Sequence, residues 1–447
     1  LLDALVMISS CDKNVPAHLI AAARLDIPVI FVTGGPMSSG GSCGGNVTIA
    51  NLDAECYMYG IGEPRISETE LSKIENASCP GAGSCAILGT ANTMQCLVEA
   101  LGLALPGSGT APAVSAQRLW IAKETGRRIV GLVNEGVRAS HILTQKALRN
   151  AIKTLHALGG SSNAIAHILA IAYENHWEKE INLDLIERFS DQVPCITNVT
   201  PSGTYSMQDF HGAGGVQAVL KSIEAHIETD AMTVSGRTIG EQLADYRFTA
   251  SDIIRETTKP TAKNGLVILR GNLAASAIVR TPVIPKEMLK HEGPARVFNS
   301  QEDALLALKD HKIHAGDVLV LRYEGPRGGP GFNEVFKVIG LLNALGLETK
   351  CALVTDGRIS GFAKGPYICQ VAPEAAVGGP LAMVKEGDII RIDIPKRKLD
   401  FVVSDEELAL RQKSWKAPEP RVREGILTVY ARLANSAEFG GGINMRL

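Results

Sequence analysis

Aromatic residues are scarce, at 5% of the 447 positions. No stretch stays apolar for the roughly 20 residues that a membrane-spanning helix needs. The most apolar run, residues 85–105, is broken by Asn92, Gln95 and Glu99, so it reads as a buried core helix. An excess of either charge is also missing. Forty-five Lys and Arg stand against 47 Asp and Glu, for a formal net charge of -2. That balance gives no reason to expect a nucleic-acid or anionic-membrane partner. The nine cysteines are odd in number and none forms a C-x-x-C pair, which argues against both a disulfide framework and a zinc ribbon. A reducing cytoplasm is the simplest setting, with thiols left over for metal. There is no secretory signal pattern. The ten histidines are scattered singly, and no His-Glu-x-x-His occurs. No Gly-x-x-x-x-Gly-Lys-Ser/Thr loop is present, and Arg358 occupies the first position of what would be a Gly-x-Ser-x-Gly elbow around Ser360. Hydrolase and nucleotide-dependent readings lose ground accordingly.

What the chain does have is glycine, 45 residues of it, which means many tight turns and places where backbone approaches a ligand closely. Its 45% hydrophobic and 21% charged residues are ordinary for a soluble protein, and the length suggests two or three domains. Over residues 1–235 apolar runs, Gly-rich turns and helical stretches alternate. This predicts an α/β domain with a parallel sheet and helices on its faces. Strands are expected at 5–8 and 28–32, and helices at 16–25, 85–105, 121–136, 142–157 and 163–174. Residues 40–46 read as a flexible glycine-rich loop, and Ser84 as an N-cap. Residues 236–260 are charged with little strand signal and read as a linker. From 261 to 447, short β-rich runs at 266–269, 277–279, 318–321, 352–354 and 389–392 predict a β-barrel-like domain with flanking helices.

Four clusters could carry chemistry. Ser9-Ser10-Cys11-Asp12-Lys13 ends the first strand. Ligands of open α/β sheets bind at such a turn, and a thiol beside a carboxylate fits two different metals. An ordinary polar loop with a half-buried cysteine is the alternative. Cys79 and Cys85 form the second cluster. Cys85 is expected to begin a helix, whose dipole favours thiolate, or else to be an inert buried thiol. The third is the stretch from Tyr323 to Glu334, where Gly and Pro fix an irregular backbone around Glu324 and Glu334. These are hard-metal or acid/base candidates, or solvated loop acids. The fourth, Thr355-Asp356-Gly357-Arg358-Ile359-Ser360-Gly361, offers Ser360 as nucleophile, base or plain turn serine.

Together these segments resemble the dihydroxy-acid dehydratase family, which also contains phosphogluconate and sugar-acid dehydratases. The matching motifs include Cys11-Asp12-Lys13, Gly34-Gly35-Pro36-Met37, Cys79-Pro80-Gly81-Ala82-Gly83-Ser84-Cys85, Gly160-Ser161-Ser162-Asn163-Ala164, Tyr323-Glu324-Gly325-Pro326, Thr355-Asp356-Gly357-Arg358 and Ala372-Pro373-Glu374-Ala375. They occur in the family's order over nearly the whole chain. The resemblance implies an α/β N-terminal domain, a β-barrel C-terminal domain and a homodimer or homotetramer. It also implies a [2Fe–2S] cluster beside Mg²⁺. Carried over by position, Cys11 and Cys85 are cluster ligands. Asp12, a carboxylated Lys13 and Glu334 are magnesium ligands, and Ser360 is the base. Ile359 replaces a phenylalanine common beside that serine. A third cluster cysteine and a further magnesium aspartate are expected ahead of Leu1. The chain is thus expected to lack an N-terminal part and, alone, to be inactive or short of its cluster. The implied activity is dehydration of 2,3-dihydroxy-isovalerate and its methyl homologue to 2-keto acids, on the route to valine and isoleucine. A sugar-acid dehydratase and a metal-free, non-catalytic homologue are the alternatives.

Overall fold

The computed structural model describes residues 2–42 and 45–444. The tip of the 40–46 loop, at residues 43 and 44, lies outside them. The chain forms two compact units, one of Leu1–Leu52 and Ser67–Gly265, the other of Asp53–Ile66 and Leu266–Leu447.

In the first unit, β1 (Leu5–Ser9) and β2 (Val29–Thr33) pair in parallel, from Leu5 opposite Val29 to Ser9 opposite Thr33. The helix Asn14–Leu25 makes the crossover and buries Val15, Pro16, Leu19 and Ala22. It stops at Asp26, which turns left-handed and donates its N–H to the Ala22 carbonyl. β2 is buried throughout, as expected of a strand covered on both faces. A ribbon of β3 (Gly40–Ser42) and β4 (Gly45–Val47) follows. Helices supply most of this unit. Thr90–Ala100 is its hub, with nearly every residue buried, and it packs against Gln145–Leu158. Ile239, Leu243 and Ile254 belong to the same hydrophobic core as Leu88, Cys96 and Phe210.

Two sequence expectations are corrected here. The helix predicted over 85–105 starts at Thr90, with Gly89 and not Ser84 at its N-cap. Asn92 explains the delay. Its side chain takes the carbonyls of Cys85 and Ile87, so residues 85–89 stay irregular. Cys85 therefore does not sit at a helix N-terminus, and the dipole argument for its thiolate lapses. The helix predicted over 142–157 runs from Gln145 to Leu158, and a separate short helix, Ala139–Ile142, precedes it. Thr144 sets that start, its side chain accepting the Ala147 N–H.

The second unit is built on β5 (Leu266–Leu269), β6 (Ser276–Arg280), β7 (Lys290–Phe298), β8 (Val318–Leu321), β9 (Glu334–Val335), β10 (Ala352–Thr355), β11 (Arg358–Ile359), β12 (Tyr367–Ala372), β13 (Ile389–Asp393) and β14 (Lys398–Phe401). Eight of these form one mixed sheet in the order β14-β13-β7-β8-β10-β12-β6-β5. The β7-β8-β10-β12 run is parallel and both flanks are antiparallel. Arg270, one residue past β5, bridges Lys398 at the start of β14, so the outermost strands meet and the sheet nearly closes into a barrel. Val267 and Leu269, Val318 and Val320, Ala352 and Val354, and Ile390 and Ile392 share one core. That alternation is the period of two expected of strands facing a common interior.

Candidate active site

In the first unit the turn after β1 is fixed from several directions. Ser9 Oγ lies 2.6 Å from His18 Nδ1. The Cys11 N–H donates to Asn14 Oδ1 at 2.9 Å, and the Cys11 side chain is exposed. Asp12 accepts from Lys13 Nζ at 2.8 Å and meets His167 Nε2 at 3.4 Å. Burial raises the Asp12 carboxyl. Hydrogen bonds and charge from His167 and Lys13 outweigh it and hold the group well below the usual carboxylate range.

A second turn lies beside the first. The Ser84 N–H donates to the Gly35 carbonyl at 2.9 Å, and the Met37 N–H to the Ser84 carbonyl at 2.7 Å. This approach needs glycine at position 83, which has φ +134; a Cβ there would collide with the Met37 nitrogen. Cys85 follows, half-buried, while Cys79 is exposed at the end of the helix Glu68–Ser78. None of the described cysteines is in a disulfide. From the hub helix, Gln95 Nε2 donates at 2.9 Å to both the Ser10 carbonyl and Ser84 Oγ, and its Oε1 accepts the Gly35 N–H at 2.7 Å.

In the second unit β9 and β11 pair in parallel, with Glu334 opposite Arg358 and Val335 opposite Ile359. Glu334 and Ser360 are thus carried by adjoining strands, Ser360 being the residue after β11 and buried. Arg358 fastens this corner. Its N–H donates to the Asn333 carbonyl and its Nε to the Phe332 carbonyl, both at 2.8 Å, and Nη1 lies 4.0 Å from Glu334 Oε2.

Buried carboxylates hold the Gly/Pro-rich loop that leads to Glu334. Asp356 accepts the N–H groups of Tyr323, Glu324 and Ala375 at 3.1, 2.9 and 2.9 Å. Glu374 accepts those of Arg327 and Gly328. Glu324 is buried too, bonded to Arg421 Nη1 at 3.0 Å and Asn333 Nδ2 at 2.7 Å. It is therefore an ion-paired structural acid and not a solvated one. Burial pushes the Asp356 carboxyl up to about 6 and the Glu374 carboxyl up to about 7, against backbone donors that pull the other way. A pKa raised on folding stabilises most below the unfolded value and loses that contribution as pH rises through the folded one. For Glu374 the window runs from 4.5 to about 7. Glu374→Gln, a neutral acceptor for the same two N–H groups, is expected to flatten this dependence. The melting temperature of the native chain relative to the variant should then fall as pH rises through that window.

The N-terminal domain profile of the dihydroxy-acid/6-phosphogluconate dehydratases matches residues 1–242, and the C-terminal profile matches residues 252–441. The chain belongs to that family. A relative named dihydroxy-acid dehydratase from Ignicoccus hospitalis is 47% identical over 446 residues, covering 99% of this chain and 80% of that protein. One of the same name from Caldanaerobacter subterraneus subsp. tengcongensis is 46% identical over 443 residues, covering 98% and 79%. A third, from Moorella thermoacetica, is 44% identical over 442 residues, covering 98% and 79%. The protein is accordingly a hydro-lyase.

Within this dehydratase, Cys11, Asp12, Lys13 and Cys85 fall in the first unit, Glu334 and Ser360 in the second. Sequence reasoning missed Gln95, His167, Asp356, Glu374 and Arg421. Gln95 stands in the sequence as a polar interruption of an apolar run, and Asp356 lies inside the Thr355–Gly361 cluster with no role of its own. Among the described residues no three His, Cys, Asp or Glu side chains converge as a metal cage. The donors present still fit the implied groups in kind. Two thiols sit on turns fastened to one buried amide, and beside them is a carboxylate kept ionised at neutral pH. No described helix is long and apolar enough to cross a membrane.

Proposed function

We propose that this dehydratase converts 2,3-dihydroxy-isovalerate and 2,3-dihydroxy-3-methylvalerate to their 2-keto acids, in valine and isoleucine biosynthesis. The observation that carries the reading is similarity over 98–99% of this chain, and 79–80% of their own length, to relatives named dihydroxy-acid dehydratase, together with the presence of Cys11, Asp12, Lys13, Cys85, Glu334 and Ser360. Cys11 and Cys85 are the proposed [2Fe–2S] ligands. Asp12, Lys13 in carboxylated form, and Glu334 are the proposed ligands of Mg²⁺. When bound, these groups supply Lewis acidity to a departing hydroxyl and to a carboxylate.

The chain's own residues account for the proton. Ser360 Oγ takes the proton from C2 as the C3–O bond breaks. The C3 hydroxyl leaves as hydroxide and takes up the proton that Ser360 removed from C2, so water departs, Ser360 returns to its alkoxide form, and the resulting enol tautomerises to the 2-keto acid. An ordinary serine hydroxyl is too weak a base for this, so the alkoxide must be favoured by nearby positive charge. Burial of Ser360 helps by keeping water from competing for the site. The assembly is proposed to be a homodimer or homotetramer in the cytoplasm, which suits thiol ligands.

The test is to assay purified full-length protein with 2,3-dihydroxy-isovalerate and with a six-carbon aldonate, following 2-keto acid formation. Turnover of the branched substrate is expected. Turnover of the aldonate alone would move the protein to the sugar-acid branch. No turnover and no iron would leave a non-catalytic homologue.

A further inference from the structure

We propose that Gln95 is a positioning residue that sets the separation of the Cys11 and Cys85 thiols, and so governs how tightly this dehydratase retains an iron–sulfur cluster. The inference rests on the proposed role of those two cysteines.

Three segments distant in sequence meet on one side chain. Gln95 is fully buried in the hub helix Thr90–Ala100. Its carboxamide has two N–H donors and one carbonyl acceptor, and all three are engaged. One donor goes to the Ser10 carbonyl, the other to Ser84 Oγ, and Oε1 receives the Gly35 N–H. Ser10 and Ser84 each immediately precede a proposed cluster thiol. A peptide plane is rigid, so fixing the Ser10 carbonyl fixes the Cys11 nitrogen in the same plane. Ser84 is held further, because its Oγ donates to Asn92 Oδ1 at 2.7 Å while Asn92 Nδ2 takes the Cys85 carbonyl. Both thiol-bearing turns are therefore referenced to a single helix face, three residues apart at positions 92 and 95.

The network is larger than packing alone requires. An apolar residue of the same volume would fill the space but would orphan the Gly35 N–H and cut the link between the turns. A cluster with Cys ligands tolerates little error in sulfur placement, and residues that orient metal ligands typically change metal affinity by about 10–100-fold when removed.

The experiment uses purified full-length protein reconstituted anaerobically with iron and sulfide. It compares the native sequence with Gln95→Glu, Ser84→Ala and Asn150→Leu. Gln95→Glu is isosteric and keeps an acceptor for Gly35, but as a carboxylate it presents oxygen to the Ser10 carbonyl. Ser84→Ala is the milder cut and guards against a Gln95 variant that does not fold. Asn150→Leu is the structural control. Asn150, on the neighbouring helix Gln145–Leu158, is equally buried and bonds the Glu228 N–H and carbonyl at 2.7 and 2.9 Å, with no bond to either cysteine-bearing turn among those of its side chain. The readouts are the rate of iron loss to a chelator and the visible circular dichroism of the cluster.

Gln95→Glu is expected to release iron about 10–100-fold faster than the native chain and to show an altered visible spectrum. Ser84→Ala should fall between the two. Asn150→Leu should lower the melting temperature while leaving both cluster readouts unchanged. Native release rates and spectra in both Gln95→Glu and Ser84→Ala would overturn the proposal. So would an equal acceleration in Asn150→Leu, which would make the effect one of general stability. A native protein that takes up no cluster would sink the reading of Cys11 and Cys85 itself, and Gln95's role with it.

Discussion

Ser360→Ala is expected to lower the kcat for dehydration by about 10²–10⁴-fold, the usual contribution of a positioned general base. Iron content and melting temperature should stay near their native values. Ser360 enters the fold through its backbone, since its carbonyl accepts the Ala363 N–H. Alanine leaves that bond intact and removes one oxygen from a buried site, a small change in packing. The C2 proton, however, would lose its acceptor. Steady-state kinetics beside iron analysis check this, and a variant with native kcat would remove Ser360 from the mechanism. Ser360→Cys is a useful companion, because it returns a proton acceptor of different basicity and should shift the pH profile before it restores the rate.

Asp356→Ala should be the most damaging single change to the second unit. It strands three N–H groups at once, the buried ones of Glu324 and Ala375 and the partly buried one of Tyr323. Each orphaned donor costs about 1–3 kcal/mol. The sum of about 3–9 kcal/mol is comparable with the whole stability of a typical domain, about 5–15 kcal/mol. Little soluble protein is expected, and what remains should melt far below the native chain. Asp356→Asn discriminates among causes. Tyr323 and Ala375 both donate to Oδ2 and Glu324 to Oδ1. An asparagine oxygen in the Oδ2 place keeps two partners and turns its amide against the third, so about 1–3 kcal/mol should be lost. Equal damage from both substitutions would mean that negative charge, and not acceptor count, is what position 356 supplies.

The parts of the fold legible in the sequence were those where burial repeats along the chain. Leu266–Leu269 and Val318–Leu321 are short apolar runs buried at every position, and both stand out as strands. β7 did not, because Lys290-His291-Glu292-Gly293-Pro294 is polar and its exposure alternates irregularly. β12 was hidden for another reason. Gln370 takes φ +54 between Cys369 and Val371, and the register against β6 slips there. The start of the hub helix was misplaced because a side chain competes with the backbone. Asn92 captures carbonyls that would otherwise have carried the helix back toward Ser84. In the site, Cys11, Asp12 and Lys13 were conspicuous because thiol, carboxylate and amine adjoin in a turn. The groups that hold such turns in place, Gln95, Asp356 and Glu374, have no local signature. Each bonds to backbone that is remote in sequence, and only the folded chain brings those partners together.

The second unit is not continuous in sequence, since Asp53–Ile66 belongs to it together with Leu266–Leu447. The early piece is held by specific bonds within that unit. Arg65 Nη1 donates to the Ala344 carbonyl at 2.9 Å, His311 pairs with Glu63 at 2.8 Å, and the Tyr57 ring lies against Gly340. On the ribosome this segment emerges roughly 200 residues before β5, a wait of about 10–40 s at 5–20 residues per second. Through that interval Tyr57 and Arg65 have none of these partners, while the first unit already has most of its chain. The second unit is thus completed only when its later chain meets a segment made long before it. A fragment begun at Leu266 would leave the Lys337–Ala344 helix without the cover it normally receives.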